Sequence, residues 1–237
     1  LSGGVLKEVQ LKMFIVSETW KTTYPGAAAG FLVMGNVANP DHHPALSQRK
    51  EALENQLRSQ FAGGDRAALA ALPIIRAYNA YYKRFKKTYH VQLQLESVAL
   101  KGRSIPGVAA LVEAMFMAEL KNLLLTAGHD LAAVQEPVRL DVAIGSERYT
   151  LLNGQAQVLK PGDMFMADTQ AIISSVLYGP DQRTRITPST RRVLFAVYAP
   201  PGIGQHTVRE HLQDIRANVL LIAPDADVEV SEVYGTD

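Results

Sequence analysis

The sequence predicts an α+β fold in which helices pack on a largely antiparallel β-sheet. Beyond residue 137, short β-like runs alternate with turn residues at the spacing of an antiparallel sheet. Between residues 47 and 126, apolar residues recur instead at the three- and four-residue intervals of helices. Hydrophobic residues make up 47% of the chain and charged residues 20%, which is enough to bury a core and too apolar for disorder. The 237 residues fit one large domain with room for two sub-lobes. They are expected to divide into an N-terminal strand and helix segment, 1–70, packed on a core formed by 71–237.

Taken in order, Val5, Leu6, Val9 and Leu11 lead into a strand at Met13-Phe14-Ile15-Val16, and Tyr24-Pro25-Gly26 makes a turn. Phe31 to Gly35 is a short apolar run closed by glycine, a buried strand, and Asn36 to Pro44 is a loop. Leu53, Leu57 and Phe61 form the stripe of a helix over 47–62, with Ser47 as its N-cap and Gly63-Gly64-Asp65 as its stop. A second helical segment runs from about Ala67 to Phe85, and Pro73 breaks it or starts a new helix there. Residues 91–101 fit either a strand or a helix. Leu111, Ala114, Met115, Ala118, Leu120, Leu123 and Leu124 place a core helix between Val108 and about Thr126, with Gly128 as its C-cap.

The β-like runs that follow are 138–143, 149–152, 157–159, 164–167, 172–178 and 192–198, and Asn153-Gly154 signals a hairpin between two of them. A last helix covers about Thr207–Ala217, with closing strands at 219–222 and 228–230.

The chain has no cysteine, which excludes disulfides, thiolate metal sites and a cysteine nucleophile. No stretch approaches the roughly 20 apolar residues of a membrane span, and the first residues lack the basic-then-apolar order of a secretory signal. A cytoplasmic location without membrane partners is therefore expected. His42-His43 lies in a proline-flanked loop that points adjacent side chains apart. His206 and His211 are five residues apart rather than four, so they do not stack on one helix face, and no metal or other cofactor is expected. The signatures of dinucleotide and phosphate-loop binding and of the serine-hydrolase elbow are absent.

A net charge of +1 does not announce a nucleic-acid binder. The run Tyr81 to His90, however, holds Lys83, Arg84, Lys86 and Lys87 among several aromatics. Such a patch can neutralise phosphates and stack bases; it also suits a solvated helix end whose cations favour the C-terminal dipole. His129-Asp130 can orient a water or a polar ligand, or can simply cap a turn.

Several segments in order carry a resemblance. They are Arg103-Ser104-Ile105-Pro106-Gly107-Val108, Glu119 to Leu125, Gly128-His129-Asp130, Leu140 to Ala143, Asn153-Gly154, Ala167-Asp168, Tyr178-Gly179-Pro180-Asp181 and Arg183 to Tyr198. Together, over roughly residues 75–200, they resemble the B3/B4 domain of the bacterial phenylalanyl-tRNA synthetase beta subunit in its freestanding form. The resemblance implies a B3/B4-like fold and hydrolysis of the ester of a mischarged tRNA in trans. The chain is also similar to the canavanyl-tRNA(Arg) deacylases. There are departures from the synthetase. Gly128-His129-Asp130-Leu131-Ala132 stands where it has a Gly-Gln-Pro-Met-His turn, and Ala196 stands where it has a pocket Glu. Gly179 matches its glycine-rich pocket strand, but Ser175 and Val176 replace glycines. A retuned pocket follows, so tyrosine specificity is not carried over.

An aminoacyl ester is already activated, so editing mainly needs a positioned water and support for an oxyanion. His129 and Asp130 are the expected catalytic residues. Ser174, Ser175, Tyr178 and Gly179 are expected to shape the pocket together with Asn122, and Glu119, Asp141, Asp168 or Asp130 to face a guanidinium-like side chain. Lys83, Arg84, Lys86 and Lys87 are expected to contact tRNA, and no DNA partner is expected. Two rivals remain open at this level: a non-catalytic tRNA- or amino-acid-binding module, and a small-molecule enzyme on the same fold.

Overall fold

A computed structural model describes residues 12–236, so Val5, Leu6, Val9 and Leu11 lie outside the described residues. Among the described residues there are eleven strands: β1 Phe14–Val16, β2 Ala28–Gly35, β3 Thr126–Asp130, β4 Val138–Val142, β5 Arg148–Thr150, β6 Ala156–Val158, β7 Met164–Ala167, β8 Ile172–Ser175, β9 Gly179–Pro180, β10 Val193–Ala199 and β11 Asp227–Gly235. The α-helices are α1 Glu18–Thr23, α2 Pro44–Gln60, α3 Arg66–Ala70, α4 Pro73–Lys83, α5 His90–Leu95, α6 Ala110–Asn122 and α7 Gln205–Ile222.

The expected single sheet is two sheets and a ribbon. One sheet has the order β11-β2-β10-β3 and is antiparallel throughout. The other runs β1-β4-β7-β8-β9, antiparallel except for the parallel pair β1–β4. The ribbon is the β5–β6 hairpin, turned at Asn153-Gly154. Phe14 of β1 stacks on Phe31 of β2 with ring centroids 4.2 Å apart, and Ser174 of β8 bonds Tyr198 of β10 at 2.5 Å, so the sheets share one core.

Segment 1–70 does not merely pack on residues 71–237. Its β2 lies between β10 and β11, and its β1 forms the edge of the second sheet. Every residue of β2 is buried, which is why it reads as a continuous apolar run rather than an alternating one. Gly30 lets α7 approach this strand, since a Cβ there would lie 2.5 Å from Val208 Cγ1.

Several helix boundaries differ from the sequence expectation. Helix α2 begins at Pro44 with His43 as N-cap, so Ser47 sits inside it; proline suits a first turn, where its missing N–H has no partner to lose. Pro73 starts α4 for the same reason. Residues 91–101 are helical, with α5 running into a π turn over Glu96–Leu100. Helix α6 stops at Leu123, in the left-handed region at φ 61°, and Gly128 lies within β3 instead of capping the helix. Val219 and Ile222 continue the buried stripe of Val208, Leu212 and Ile215, so 219–222 extends α7 instead of forming a strand.

Helix α4 clamps the two sheets through tyrosines. The Tyr78 hydroxyl donates to the Tyr198 carbonyl at 2.5 Å and accepts the Leu125 N–H at 2.9 Å, while its ring stacks on Tyr89. Tyr82 donates to the Val176 carbonyl at 2.7 Å. Tyr78→Phe keeps the packing but strands a buried donor and acceptor. It is expected to cost roughly 2–4 kcal/mol in urea denaturation, and a loss below about 0.5 kcal/mol would mean that water replaces the hydroxyl.

Candidate functional site

A cavity of about 280 Å³ opens between α6, β3, β9 and the tip of the β5–β6 hairpin. Met115, Phe116 and Glu119 come from α6, Thr126 and Gly128 from β3, and Gly179 from β9. Leu152 at the hairpin tip, Arg185, Ile186 and His90 complete the wall. Gly128 keeps the space open, since a Cβ there would lie 2.7 Å from Ile186 Cδ1.

Glu119 is the buried acid of this wall. Its Oε1 accepts the Thr126 N–H at 2.7 Å, and burial still pushes its carboxyl up to about 8. At neutral pH it is therefore mostly a neutral acid in an apolar cavity. Behind it the Thr126 hydroxyl lies 2.7 Å from His211 Nε2. Asn122 Nδ2 contacts His211 Nδ1 at 3.2 Å and donates to Asp214 at 2.8 Å, and Asp214 pairs with Lys121. Asn122 thus supports the wall from behind and does not line the cavity.

His90 stands at the mouth, beside a second and larger depression of about 410 Å³ that it also lines. Desolvation by its neighbours holds its imidazole below the ordinary value, so it is neutral at pH 7. The Tyr82 hydroxyl, which donates to Val176, lies 3.5 Å from His90 Nδ1. With that proton on Val176, Tyr82 is placed to accept from His90 Nδ1–H, and in this tautomer the Nε2 lone pair is free.

His129 and Asp130 are not at the cavity. Gly128 faces Met115 of α6, so the alternation of β3 turns His129 to the opposite face, where it is fully buried. The Thr184 hydroxyl donates to Asp181 and accepts from His129 Nδ1 at 2.7 Å. Burial lowers the imidazole to about 3 and keeps it neutral, with Nε2 unpartnered. Asp130 caps a turn by accepting from the Ala132 N–H at 3.0 Å and the Thr190 hydroxyl at 2.7 Å.

Asp141 and Asp168 are also structural. Asp141 accepts from the Ser17 hydroxyl and Arg139 at 2.6 and 2.8 Å. Asp168 pairs with Arg183 at 2.8 Å and accepts three backbone N–H groups. Both are held below the usual carboxylate range by these bonds, although burial opposes it. Ser174 and Ser175 are buried behind the cavity. Ser175 accepts the Tyr178 N–H at 3.2 Å and pairs across the strands with Gly179, so it braces the turn that brings Gly179 to the cavity. Nearby Asp163 is buried against the Tyr81 hydroxyl at 2.7 Å, and burial pushes its carboxyl up to about 7.

The basic run is split. Lys83, Arg84 and Lys86 are exposed, with the Arg84 guanidinium folded over the Tyr24 ring at 5.2 Å. Lys87 lies 4.2 Å from the centre of the Tyr178 ring, next to Gly179, and burial and Lys160 lower its affinity for a proton. The aromatics within the run, Tyr81, Tyr82, Phe85 and Tyr89, are all buried, so they pack the core and do not stack bases.

Sequence reading missed His90, Thr126, Gly128, Leu152 and Arg185. The small-residue run Thr126-Ala127-Gly128 and the apolar Leu152 beside a hairpin signal were the available cues. Among the described residues no three His, Asp or Glu side chains could share a metal ion, and no helix is long and apolar enough to cross a membrane.

The profile of the B3/4 domain family matches residues 76–214. An N-terminal fragment of the phenylalanyl-tRNA synthetase beta-subunit from Pyrococcus horikoshii superposes with a TM-score of 0.49 at 11% identity, over 93% of this chain and 49% of that one. The chain thus spans about half the length of that fragment. No curated protein sequence matches it.

Proposed function

Because the chain belongs to the B3/4 domain family, we propose that it edits mischarged tRNA in trans, hydrolysing the aminoacyl ester of canavanyl-tRNA(Arg). The observation that carries this reading is a buried, largely neutral acid, Glu119, in an apolar cavity sized for one amino-acid side chain. Arginine brings a permanent charge into such a cavity, and burying that charge is costly even beside a carboxyl. The oxygen that replaces a methylene in canavanine withdraws electrons from its guanidino group, which then sheds its proton far more readily. A neutral canavanine side chain can exchange hydrogen bonds with Glu119 without that cost.

Six side chains divide the work of this reading. Glu119 binds the side chain, and His90 takes a proton from the attacking water through Nε2. Arg185 at the rim attracts the developing oxyanion or the neighbouring phosphate. Lys83, Lys86 and Lys87 hold the tRNA backbone, and the reaction belongs in the cytoplasm, where tRNA is charged.

The test is deacylation of canavanyl-tRNA(Arg), arginyl-tRNA(Arg), tyrosyl-tRNA(Phe) and phenylalanyl-tRNA(Phe). Loss of the canavanyl ester with arginyl-tRNA spared by about 10²-fold or more is expected. No loss above the spontaneous rate for any species rejects the enzyme. Exchanging Lys83 and Lys86 for Glu should raise KM and reduce the salt slope of tRNA binding by about one unit per lost phosphate contact. An unchanged slope would remove these residues from the RNA path.

One observation favours a second reading. Among the described residues lining the cavity, His90 and Glu119 are the only groups suited to acid–base work. A non-catalytic tRNA- or amino-acid-binding module would need neither, and it would slow the spontaneous hydrolysis of charged tRNA instead of speeding it.

A further inference from the structure

We infer that His211 is a positioning residue of the cavity, an inference that rests on the editing reading above and deepens it. Through Thr126 it holds the Glu119 carboxyl so that Oε1 faces the backbone and Oε2 presents a donor to the bound side chain. β3 is the edge strand of its sheet and pairs on one side with β10. The Thr126 N–H stands outside that ladder, and Glu119 Oε1 accepts it at 2.7 Å from the last turn of α6. The link between helix and strand is tied down from the core. The Tyr89 hydroxyl donates to the Leu123 carbonyl at 3.0 Å, and the Tyr78 hydroxyl accepts the Leu125 N–H at 2.9 Å. His211 of α7, fully buried, ties the next residue, with Nε2 2.7 Å from the Thr126 hydroxyl. Burial keeps the imidazole neutral. A hydroxyl can accept or donate, so this bond holds in either tautomer of the ring. Asn122 backs the other ring nitrogen at 3.2 Å and is itself fixed by Asp214 at 2.8 Å.

Fixing the carboxyl fixes what it can recognise. In a neutral carboxyl one oxygen carries the proton. With Oε1 accepting the Thr126 N–H, that proton belongs on Oε2, which no group bonds among the described residues. Oε2 therefore donates into the cavity that Glu119 lines. A guanidinium has N–H donors and no acceptor, so an arginine side chain meets a donor with donors. The imino nitrogen of a neutral oxyguanidino group has a lone pair and accepts. If Thr126 is released, its N–H no longer distinguishes the two oxygens, and the carboxyl can turn its bare oxygen to a guanidinium. Loss of His211 should therefore erode the choice between the two esters and leave the cleavage step in place.

The experiment compares kcat and KM for canavanyl-tRNA(Arg) and arginyl-tRNA(Arg) across variants of the whole chain. His211→Phe is expected to lower the canavanyl-to-arginyl ratio of kcat/KM about tenfold, through KM, with kcat for the canavanyl ester within about threefold of wild type. His211→Gln keeps an amide in reach of Thr126 and should restore most of the ratio. Thr126→Val should match His211→Phe, and the double variant should add less than about twofold, because both changes break one bond. Asn218→Ala removes a buried bond from α7 to the Ala114 carbonyl; it is the control for packing and should leave the ratio unchanged. An unchanged ratio in His211→Phe, an equal fall in Asn218→Ala, no recovery in His211→Gln, or full additivity would overturn the assignment while editing stands. If wild type hydrolyses no ester, editing fails and amide probes score the assignment by themselves. L-canavaninamide should then bind wild type about tenfold more tightly than L-argininamide, and His211→Phe should abolish that preference. Equal binding of the two amides to wild type, or a preference that survives in His211→Phe, overturns it.

Discussion

Replacing His90 by Ala is expected to lower kcat for canavanyl-tRNA(Arg) by roughly 10²–10⁴-fold with KM little changed. The size follows from its role: a base that takes a proton in the transition state contributes to kcat and little to ground-state binding. Placement makes His90 the candidate, since it stands where the cavity and the larger depression meet. Its imidazole is held below the ordinary 6.5, so the free base is present at neutral pH. The sign of the pH dependence follows. Activity should hold as pH falls to 6.5 and decline below it, once Nε2 is protonated. In His90→Ala that acid limb should disappear, and added imidazole should restore part of the rate. A change below about threefold would assign the water to another group. His129→Asn is the counter-case: it disturbs a buried bond to Thr184 and should reduce stability without moving the acid limb.

The contrast between His90 and His129 shows what was legible in the sequence. The strands after residue 137, the Asn153-Gly154 hairpin and the break at Pro73 were legible because turn chemistry and proline act locally. The division into two sheets was not, because a strand carries no mark of the sheet it joins. The all-buried β2 read as a strand, yet its position between β10 and β11 depends on partners more than 150 residues away. Glu119 is one carboxylate among four in the sequence; in the fold Asp141 and Asp168 each pair with an arginine and Asp130 accepts from a backbone N–H and the Thr190 hydroxyl, whereas Glu119 accepts one backbone N–H at the wall of an apolar cavity. From sequence Gly128 reads as a helix stop, because glycine after an apolar helix usually is one. Leu123 took that role in a left-handed conformation, which freed Gly128 to open the cavity. In the sequence His90 is only the end of a basic run; its place at the cavity comes from α6 packing against α5.

The same burial that makes Glu119 useful makes it destabilising once ionised. Its folded carboxyl titrates at about 8 against an ordinary 4.5, so the folded state keeps the proton to higher pH than the unfolded chain. The contribution is fully favourable below 4.5 and is lost as pH rises toward 8, by about 5 kcal/mol across that window. Asp163, raised to about 7, acts in the same direction. His129 and His211, both lowered to about 3 by burial, act in the opposite one, losing stability as pH falls below 6.5. The whole protein should therefore be most stable in the weakly acidic range, with the buried acids dominating above 6.5. Glu119→Gln isolates one of these groups, because an amide oxygen can still accept the Thr126 N–H while nothing titrates. The difference in unfolding free energy between variant and wild type should be small at pH 5 and widen in favour of the variant toward pH 8.5. A constant gap would mean that water reaches the carboxyl and that the cavity is wetter than its lining suggests. Under the editing reading the neutral amide can still exchange hydrogen bonds with a neutral canavanine side chain, so the stabilised variant should go on sparing arginyl-tRNA.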